Sequence, residues 1–142
     1  MSSPPLVDRL RARNWRLTAQ RRVIAEVMEG EHVHLSAEEV LQRARQRLRE
    51  VSLATVYNTL NELVAMGEVK PVDAGSGATR YDPNTGASHH HLVCLGCNQL
   101  LDVYLDPSAT AIELPPSERH GFRILGEEIL FRGWCPSCSD QV

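Results

Sequence analysis

Four cysteines occur in the chain, and they form two Cys-x-x-Cys pairs, Cys94/Cys97 and Cys135/Cys138. Each pair presents two sulfurs to one ion, and four thiolates are a usual tetrahedral ligand set for structural Zn²⁺. The alternatives are two disulfides, isolated core thiols or one redox-active pair. The chain begins with polar and charged residues rather than an apolar segment, which favours a reducing cytoplasmic location. A redox role would leave the second pair unexplained, so the spacing predicts structural zinc.

A second set of potential ligands consists of histidines and aspartates. Three histidines, His89, His90 and His91, stand just before the first cysteine pair. On a β-strand, His89 and His91 point to one face and His90 to the other, so the triplet can serve two sites. The alternative is a solvated polar strand end. Three imidazoles and two carboxylates suit exchangeable Fe²⁺, Mn²⁺, Zn²⁺, Ni²⁺ or Co²⁺. The candidate regulatory set is His34, Asp82, His89, His91 and Asp102.

The elements that must position these ligands fall into two halves of opposite charge. Residues 1–80 carry 12 of the 15 Lys and Arg against 10 of the 18 Asp and Glu, a net charge of +2. Residues 81–142 carry 3 against 8, a net charge of −5. The sign asymmetry favours a DNA-binding domain joined to a metal-binding domain. We predict a domain over 1–82, a hinge over 83–88 and a second domain over 89–142. No apolar run approaches the roughly 20 residues that cross a bilayer.

The front half has the element order of a winged helix-turn-helix. Ser36 and Glu39 form a capping box, and Thr18 and Ser52 are further N-cap candidates. Gly67 ends the last helix. A hairpin over 69–73 and 78–82, with a turn at 74–77, forms the wing. Helical spacing of apolar residues predicts helices over 5–14 and 19–29, one opening at Ser36, and one over 53–66.

The helix before the wing is the one that enters the major groove in such folds. Its polar, uncharged side chains suit base edges and phosphates, and those at the start of the second helix suit the phosphate backbone. The alternative is that they are the solvated faces of amphipathic helices. The candidate DNA-binding residues are Arg16, Gln20, Arg21, Ser52, Thr55, Tyr57, Asn58 and Asn61, with Arg22 beside them.

The rear half is predicted to form a small sheet. Strands are expected over 89–94 and 100–104, with a further hairpin over 122–125 and 128–133 around Gly126 and Glu127. The second cysteine pair would hold the last strand next to the first through the shared metal site. Ile124, Ile129 and Phe131 supply one buried face. An edge strand that pairs across a two-fold axis, and the paired half-sites of helix-turn-helix readers, favour a homodimer.

Taken together, the motifs resemble the ferric uptake regulator family of bacterial metalloregulators over nearly the whole chain. The matching stretches are 16–21 (RLTAQR), 34–39 (HLSAEE), 54–60 (ATVYNTL), 89–97 (HHHLVCLGC) and 135–138 (CPSC). The resemblance implies an α+β fold, with an N-terminal winged helix-turn-helix domain and a small C-terminal α/β dimerisation domain that holds structural zinc. It implies a homodimeric, cytoplasmic repressor of transcription, not an enzyme, that binds double-stranded operator DNA. The regulatory set would lie at the hinge.

Within the family, Asp102, Asp82 and the Val-Tyr-Asn-Thr-Leu segment resemble the peroxide-sensing branch. In that branch peroxide oxidises a ligating histidine when Fe²⁺ is bound, here His34 or His89, whereas Mn²⁺ gives an insensitive repressor. Regulation by iron, zinc, manganese or nickel uptake is the alternative. The resemblance also implies a third metal site, although Ser88 stands where many members have another histidine. Its ligands would be His90 and His120, with Glu113 or Glu118 supplying oxygen.

Two alternatives come from other classes of protein. A metal-dependent hydrolase could use the His/Asp set, but five protein ligands leave little open coordination and no general base is evident. A zinc-ribbon interaction module would show no DNA binding and no effect of changing His89. The sequence therefore favours the metal-dependent regulator.

Overall fold

The chain folds into two compact units, 1–87 and 88–142, in a computed structural model. The structure describes residues 4–30, 33–75, 77–86, 88–106, 108 and 112–140. The boundary between the units falls inside the predicted hinge, 83–88. Within the described ranges, no helix is both long enough and apolar enough to cross a membrane.

The first unit contains four helices and a small sheet. Three of the helices begin where the sequence predicts, because a capping side chain precedes each of them. Thr18 accepts a hydrogen bond from the Arg21 N–H at 3.3 Å, and Ser52 accepts one from the Thr55 N–H at 3.1 Å. The predicted capping box at Ser36 is confirmed in both directions. The helices are α1 (Leu6–Ala12), α2 (Ala19–Val27), α3 (Ala37–Arg45) and α4 (Leu53–Ala65).

The core of the first unit forms where the apolar stripes of the four helices meet. Each helix contributes side chains that are fully or nearly fully buried, as the helical spacing predicts. Burying a side chain of this size stabilises the fold by about 1.5–3 kcal/mol, so this core is sufficient for an independent domain. The largest of these side chains are Leu6, Leu10, Ile24, Met28, Val40, Val56, Leu60 and Leu63.

The wing is a three-stranded antiparallel sheet. Its strands are β1 (Leu35–Ser36), β2 (Lys70–Val72) and β3 (Arg80–Asp82), in the order β1-β3-β2. The hairpin of β2 and β3 confirms the predicted wing, and β1 is an additional edge strand. In the connecting turn, Gly75 adopts φ +78°, where a side chain would be strained, and its N–H is bound by the Asp73 carboxylate. Ser76 of the predicted turn lies outside the described residues.

The second unit is built on a mixed three-stranded sheet in the order β5-β4-β6. The antiparallel pairing of β4 with β5 places His91 opposite Asp102, and the parallel pairing of β4 with β6 places Cys94 opposite Gly133. A short 3-10 helix (Pro116–Glu118) lies between β5 and β6. The strands are β4 (His90–Cys94), β5 (Leu100–Val103) and β6 (Leu130–Gly133), and α5 (Pro136–Ser139) follows them.

The predicted hairpin around Gly126 and Glu127 is wrong. Residues 122–129 adopt no regular strand, and β6 begins only at Leu130, where it pairs with β4 instead. Ile124 and Phe131, which were predicted to belong to one buried face, are 45% and 40% exposed. Apolar alternation alone does not show which element a segment packs against, and among the described residues this face stays largely exposed. In the connection over 106–116, Pro107 and 109–111 lie outside the described residues.

The second unit has a thin core. Its buried apolar side chains, among the described residues, are those of Val93, Cys94 and Leu100. A core this small contributes little stability to a 55-residue unit, and bound metal or a partner surface would add to it. The large apolar side chains left exposed include Leu92, Leu95, Tyr104, Ile112, Leu114, Phe122, Ile124, Leu125, Phe131 and Trp134.

Candidate metal centres and nucleic-acid interface

The four cysteines converge on one point in the second unit. Their sulfur atoms all lie within 4.8 Å of one another, and Cys97 Sγ lies 3.9 Å from Cys135 Sγ. In a tetrahedral site with Zn–S bonds of about 2.3 Å, neighbouring sulfurs are about 3.8 Å apart. All four are free thiols rather than disulfides. The donor set and its spacing therefore fit a structural zinc ion.

The parallel pairing of β4 and β6 is what brings the two cysteine pairs together. Parallel strands end at the same edge of a sheet, so the turn after β4 and the turn after β6 become neighbours. The Leu95 N–H donates to the Gly133 carbonyl at 2.8 Å, which fixes the two turns side by side. The sequence predicted that the second pair would clip the last strand to the first.

Backbone N–H groups surround the Cys94 sulfur. The N–H groups of Gly96, Cys97 and Cys135 point at Cys94 Sγ from 3.3, 3.5 and 3.3 Å. The N–H groups of Cys135, Cys97 and Gly96 lower the pKa of Cys94 to about 6. Hydrogen bonding to Cys135 and Cys94, whose sulfurs take up the negative charge, raises the pKa of Cys138 to about 12. Cys94 is thus a thiolate before metal binds. The positive charge of a divalent ion would favour ionisation of the other three thiols.

A second centre in the same unit joins two histidines through one carboxylate. His89 Nε2 lies 3.2 Å and His91 Nε2 lies 3.5 Å from the same oxygen, Asp102 Oδ1. The three side chains are 5%, 8% and 2% exposed. The two imidazole rings meet edge to face with their centres 4.8 Å apart, His89 directly before β4 and His91 within it. Buried nitrogen and oxygen donors that converge in this way suit a borderline or hard cation.

The first unit carries its own histidine–aspartate pair. His34 Nε2 lies 3.5 Å from Asp82 Oδ2, and both side chains are 1% exposed. His34 directly precedes β1, and Asp82 ends β3, so the pairing of these two strands brings the side chains together. The other Asp82 oxygen accepts a hydrogen bond from the Asn84 N–H at 2.8 Å, which orients the carboxylate. The five residues of the predicted regulatory set are thus contributed by both units, two by the first and three by the second.

The residues of the predicted third site belong to none of the ligand clusters found among the described residues. His90 is buried, and its Nδ1 accepts a hydrogen bond from the Ile129 N–H at 3.0 Å. Glu113, Glu118 and His120 are exposed. Among the described residues, these four do not converge as the cysteines do. The third site stays a prediction.

The candidate DNA-binding residues lie largely along one groove of the first unit, between the start of α2 and the exposed face of α4. The groove encloses about 790 Å³. Arg16 is exposed beside it, and Ser52 caps α4. The Tyr57 hydroxyl donates to Glu38 at 3.1 Å, and this hydrogen bond raises the pKa of Tyr57. The groove is lined by Thr18, Ala19, Gln20, Arg21, Thr55, Asn58, Thr59, Asn61 and Glu62.

Two residues near these sites were missed by sequence reasoning. Gly96, inside the first cysteine turn, packs against Cys138 and Trp134, and a glycine between two paired cysteines could have signalled such a close approach. Glu62, on α4, forms an ion pair with Arg21 at 3.0 Å. No sequence signal identifies that pair, because 41 positions separate its members.

A winged helix-turn-helix unit followed by a unit with clustered metal ligands defines a DNA-binding metalloregulator. The sequence profile of the ferric uptake regulator family matches residues 12–131. The chain therefore belongs to the ferric uptake regulator family, whose members are transcriptional regulators and not enzymes.

The members of the family that resemble this chain are named for different signals, iron in some and peroxide in others. The chain is 34% identical to the ferric uptake regulation protein of Synechococcus elongatus, covering 94% of this chain and 92% of that protein. It is 30% identical to the peroxide-responsive repressor PerR of Staphylococcus aureus, covering 93% and 88%. The solved structure of the ferric uptake regulator from Francisella tularensis with iron aligns with a TM-score of 0.73 at 25% identity, covering 87% and 94%.

Proposed function

We propose that this chain is a transcriptional repressor that binds operator DNA as a homodimer in the cytoplasm and senses peroxide through Fe²⁺ or Mn²⁺. The observation that carries the proposal is the shared contact of His89 and His91 with one oxygen of Asp102. This arrangement supplies two imidazoles and a carboxylate from the start of β4 and from β5. The regulatory set is His34, Asp82, His89, His91 and Asp102.

The donor chemistry supports Fe²⁺ and Mn²⁺. Nitrogen and oxygen donors without thiolates suit these ions, and Zn²⁺ and Ni²⁺ are the alternatives. The thiolates are committed to the separate cysteine cluster, which fits zinc. The two centres therefore have different tasks. The cysteine cluster stabilises a thinly packed unit, and the His/Asp set binds an exchangeable ion.

Metal binding would couple to DNA binding because the ligands come from both units. His34 and Asp82 belong to the unit that carries α4, and the other three ligands belong to the second unit. An ion that took ligands from both would favour one arrangement of the two DNA-reading units in a dimer. A ligand shifts such an equilibrium by its differential affinity for the two arrangements.

The homodimer is supported by the apolar surface of the second unit. Exposed apolar side chains of this number mark an interaction surface, and helix-turn-helix readers commonly pair to match two half-sites. In each half-site, Asn58 and Asn61 on α4 would face base edges, and Asn side chains pair well with adenine. Arg16, Gln20 and Arg21 would hold the backbone.

The peroxide signal rests on Asp102, which resembles the peroxide-sensing branch, and on the similarity to the peroxide-responsive repressor of Staphylococcus aureus. Bound Fe²⁺ would supply the reductant for peroxide. Oxygen added to His34 or His89 would then remove a ligand and release the repressor. Iron-, zinc-, manganese- or nickel-responsive regulation is the alternative within the family, and the 34% identity to the ferric uptake regulation protein of Synechococcus elongatus favours iron.

The test is DNA binding by the full-length protein with each metal. An operator would first be selected from a random duplex library with the Mn²⁺-loaded protein. Its affinity would then be measured with Mn²⁺, Zn²⁺, Ni²⁺ and, without oxygen, Fe²⁺, before and after hydrogen peroxide. Mass spectrometry of the peptides that contain His34 and His89 would follow.

We expect metal to raise operator affinity, and peroxide to abolish binding with Fe²⁺ but not with Mn²⁺, with one oxygen atom added to one of the two peptides. Release of DNA by an unmodified protein would contradict peroxide sensing. A response confined to one metal and indifferent to peroxide would identify an uptake regulator. If no metal changed the affinity for any DNA, the result would favour the alternative of a zinc-ribbon interaction module.

A further inference from the structure

An arginine–glutamate pair crosses the DNA-facing groove of the first unit. Arg21, on the first turn of α2, places Nη2 3.0 Å from Glu62 Oε2 on α4. Its Nη1 donates to the carbonyl of Arg16 at 3.0 Å, and its guanidinium lies 4.4 Å from the centre of the Trp15 ring. Stacking on an aromatic ring and two hydrogen bonds in different directions hold the guanidinium in one place.

Glu62 is unusual in its position. It is the one charged residue in the whole of α4, whose remaining residues are apolar or neutral. It lines the groove together with Asn58 and Asn61, so a carboxylate stands on the surface that faces a polyanion. A carboxylate there repels phosphate. It also forms an ion pair with Arg21, a cation that would otherwise attract phosphate.

We propose that Glu62 is a specificity-determining residue that acts through Arg21. This inference rests on the proposed DNA-binding function. In a loose complex with non-specific DNA, Arg21 stays paired with Glu62 and makes no phosphate contact. When base contacts from α4 draw the duplex into the groove, a backbone phosphate takes the guanidinium from Glu62. The ion pair thus withholds one phosphate contact per protomer until the correct sequence is bound.

The geometry is suited to such an exchange. The Arg21 and Glu62 side chains are 28% and 49% exposed, so a phosphate can reach the pair from solvent. An ion pair of this exposure is weak, and it can be broken by a competing anion. The stacking on Trp15 does not depend on Glu62, so the guanidinium stays at the groove wall when the carboxylate is displaced.

The test compares salt dependence on two duplexes. The Mn²⁺-loaded, full-length protein would be titrated with its selected operator and with a random-sequence duplex of equal length, over a range of salt concentrations. For Glu62→Gln, we expect affinity for the random duplex to rise about two- to fivefold. The slope of log affinity against log salt on that duplex should steepen by about 0.9 per protomer, while the slope on the operator stays unchanged.

Glu26→Gln is the matched control. It makes the same change of charge in α2, where Glu26 pairs with Arg47 away from the groove, and it should leave both slopes unchanged. Arg21→Gln should lower the slope on the operator by about 0.9 per protomer. An Arg21→Gln protein with reduced thermal stability but an unchanged operator slope would overturn the proposal.

An equal gain in affinity on both duplexes for Glu62→Gln, without a change of slope, would also overturn it, because that is a general effect of charge. If the wild-type protein with Mn²⁺ selects no operator at all, the proposed function fails and the inference fails with it. If an operator is selected and Glu62→Gln behaves as wild type, the inference alone fails.

Discussion

Gly96 and Cys138 approach so closely that a Cβ atom added to Gly96 would lie 2.9 Å from the Cys138 sulfur and 3.1 Å from the Trp134 ring. Contacts this short do not occur without displacement of one of the two groups. Because the sulfur is one of four converging on the zinc position, a displacement there would distort the site itself. The Cys-Leu-Gly-Cys turn therefore requires glycine for its packing.

Gly96→Ala should weaken zinc retention by about tenfold, the lower end of what disturbance of the surroundings of a metal site produces. Competition with a chromophoric chelator at neutral pH measures this. Gly133→Ala is the matched control, since Gly133 lies on β6 beside the cluster and a Cβ there would meet nothing within 4 Å. Equal zinc retention by the two variants would contradict the packing argument.

The metal-free, reduced protein should become more stable as pH rises from 6 to 9. Three N–H groups lower the pKa of Cys94 to about 6 from its ordinary value of 9.0. The stability that the thiolate contributes is therefore complete above pH 9 and is lost as pH falls through about 6. The raised pKa of Cys138, about 12, acts only above pH 9, with the opposite sign.

Urea denaturation at pH 6, 7.5 and 9, with chelator and reductant present, measures this dependence. Cys94→Ser should abolish the rise in the denaturation midpoint, whereas Cys97→Ser should keep most of it, because the backbone N–H groups of Cys135 and Cys97 lower the pKa of Cys94 more than the Cys97 side chain does. A wild-type midpoint that does not change over this range would count against the preformed thiolate.

Local sequence signals were sufficient for most of the first unit. The capping box at Ser36 and Glu39 involves residues three positions apart, and the stripes of α2 and α4 recur at helical spacing, so each can be recognised from neighbouring residues. The cysteine cluster was also predictable. All four cysteines fall in two Cys-x-x-Cys pairs, and that spacing is typical of a zinc site.

Contacts between distant positions were not predictable in the same way. The pairing of β4 with β6 is parallel and joins positions almost 40 apart, and alternation along 122–133 could not distinguish it from a hairpin. Arg21 was predicted as a phosphate ligand from its place on α2. Its engagement with Trp15 and Glu62 depends on how α2 packs beside α4, which no local pattern encodes.

Arg9→Gln should destabilise the first unit by about 2–3 kcal/mol, the loss expected for hydrogen bonds from a charged group. Arg9 is 14% exposed, pairs with Glu68 at 3.2 Å, and donates to the carbonyls of Glu68 and Pro83 at 3.2 and 2.8 Å. It thereby joins α1 to the segments before and after the wing strands. Chemical denaturation of the full-length protein measures the change.

Arg13→Gln is the control for this prediction because Arg13 contacts the same Glu68 but is 45% exposed. Its ion pair is largely solvated, so its removal should cost less than about 1 kcal/mol. If the two variants lost similar amounts of unfolding free energy, burial of Arg9 would add nothing to the strength of its ion pair.

Asp102→Asn should lower Mn²⁺ affinity by at least about tenfold, because it keeps the shape of the side chain but replaces the anionic oxygen that both histidines approach. Free Mn²⁺ measured by electron paramagnetic resonance during a titration gives the affinity directly. Asp106→Asn is the matched control, since that carboxylate lies four positions further on and accepts hydrogen bonds from the Ser108 N–H and hydroxyl. Asp102→Asn should also leave zinc in the cysteine cluster, which would separate loss of the regulatory ion from unfolding of the unit. Unchanged Mn²⁺ affinity in Asp102→Asn, or an equal loss in both variants, would remove Asp102 from the regulatory set.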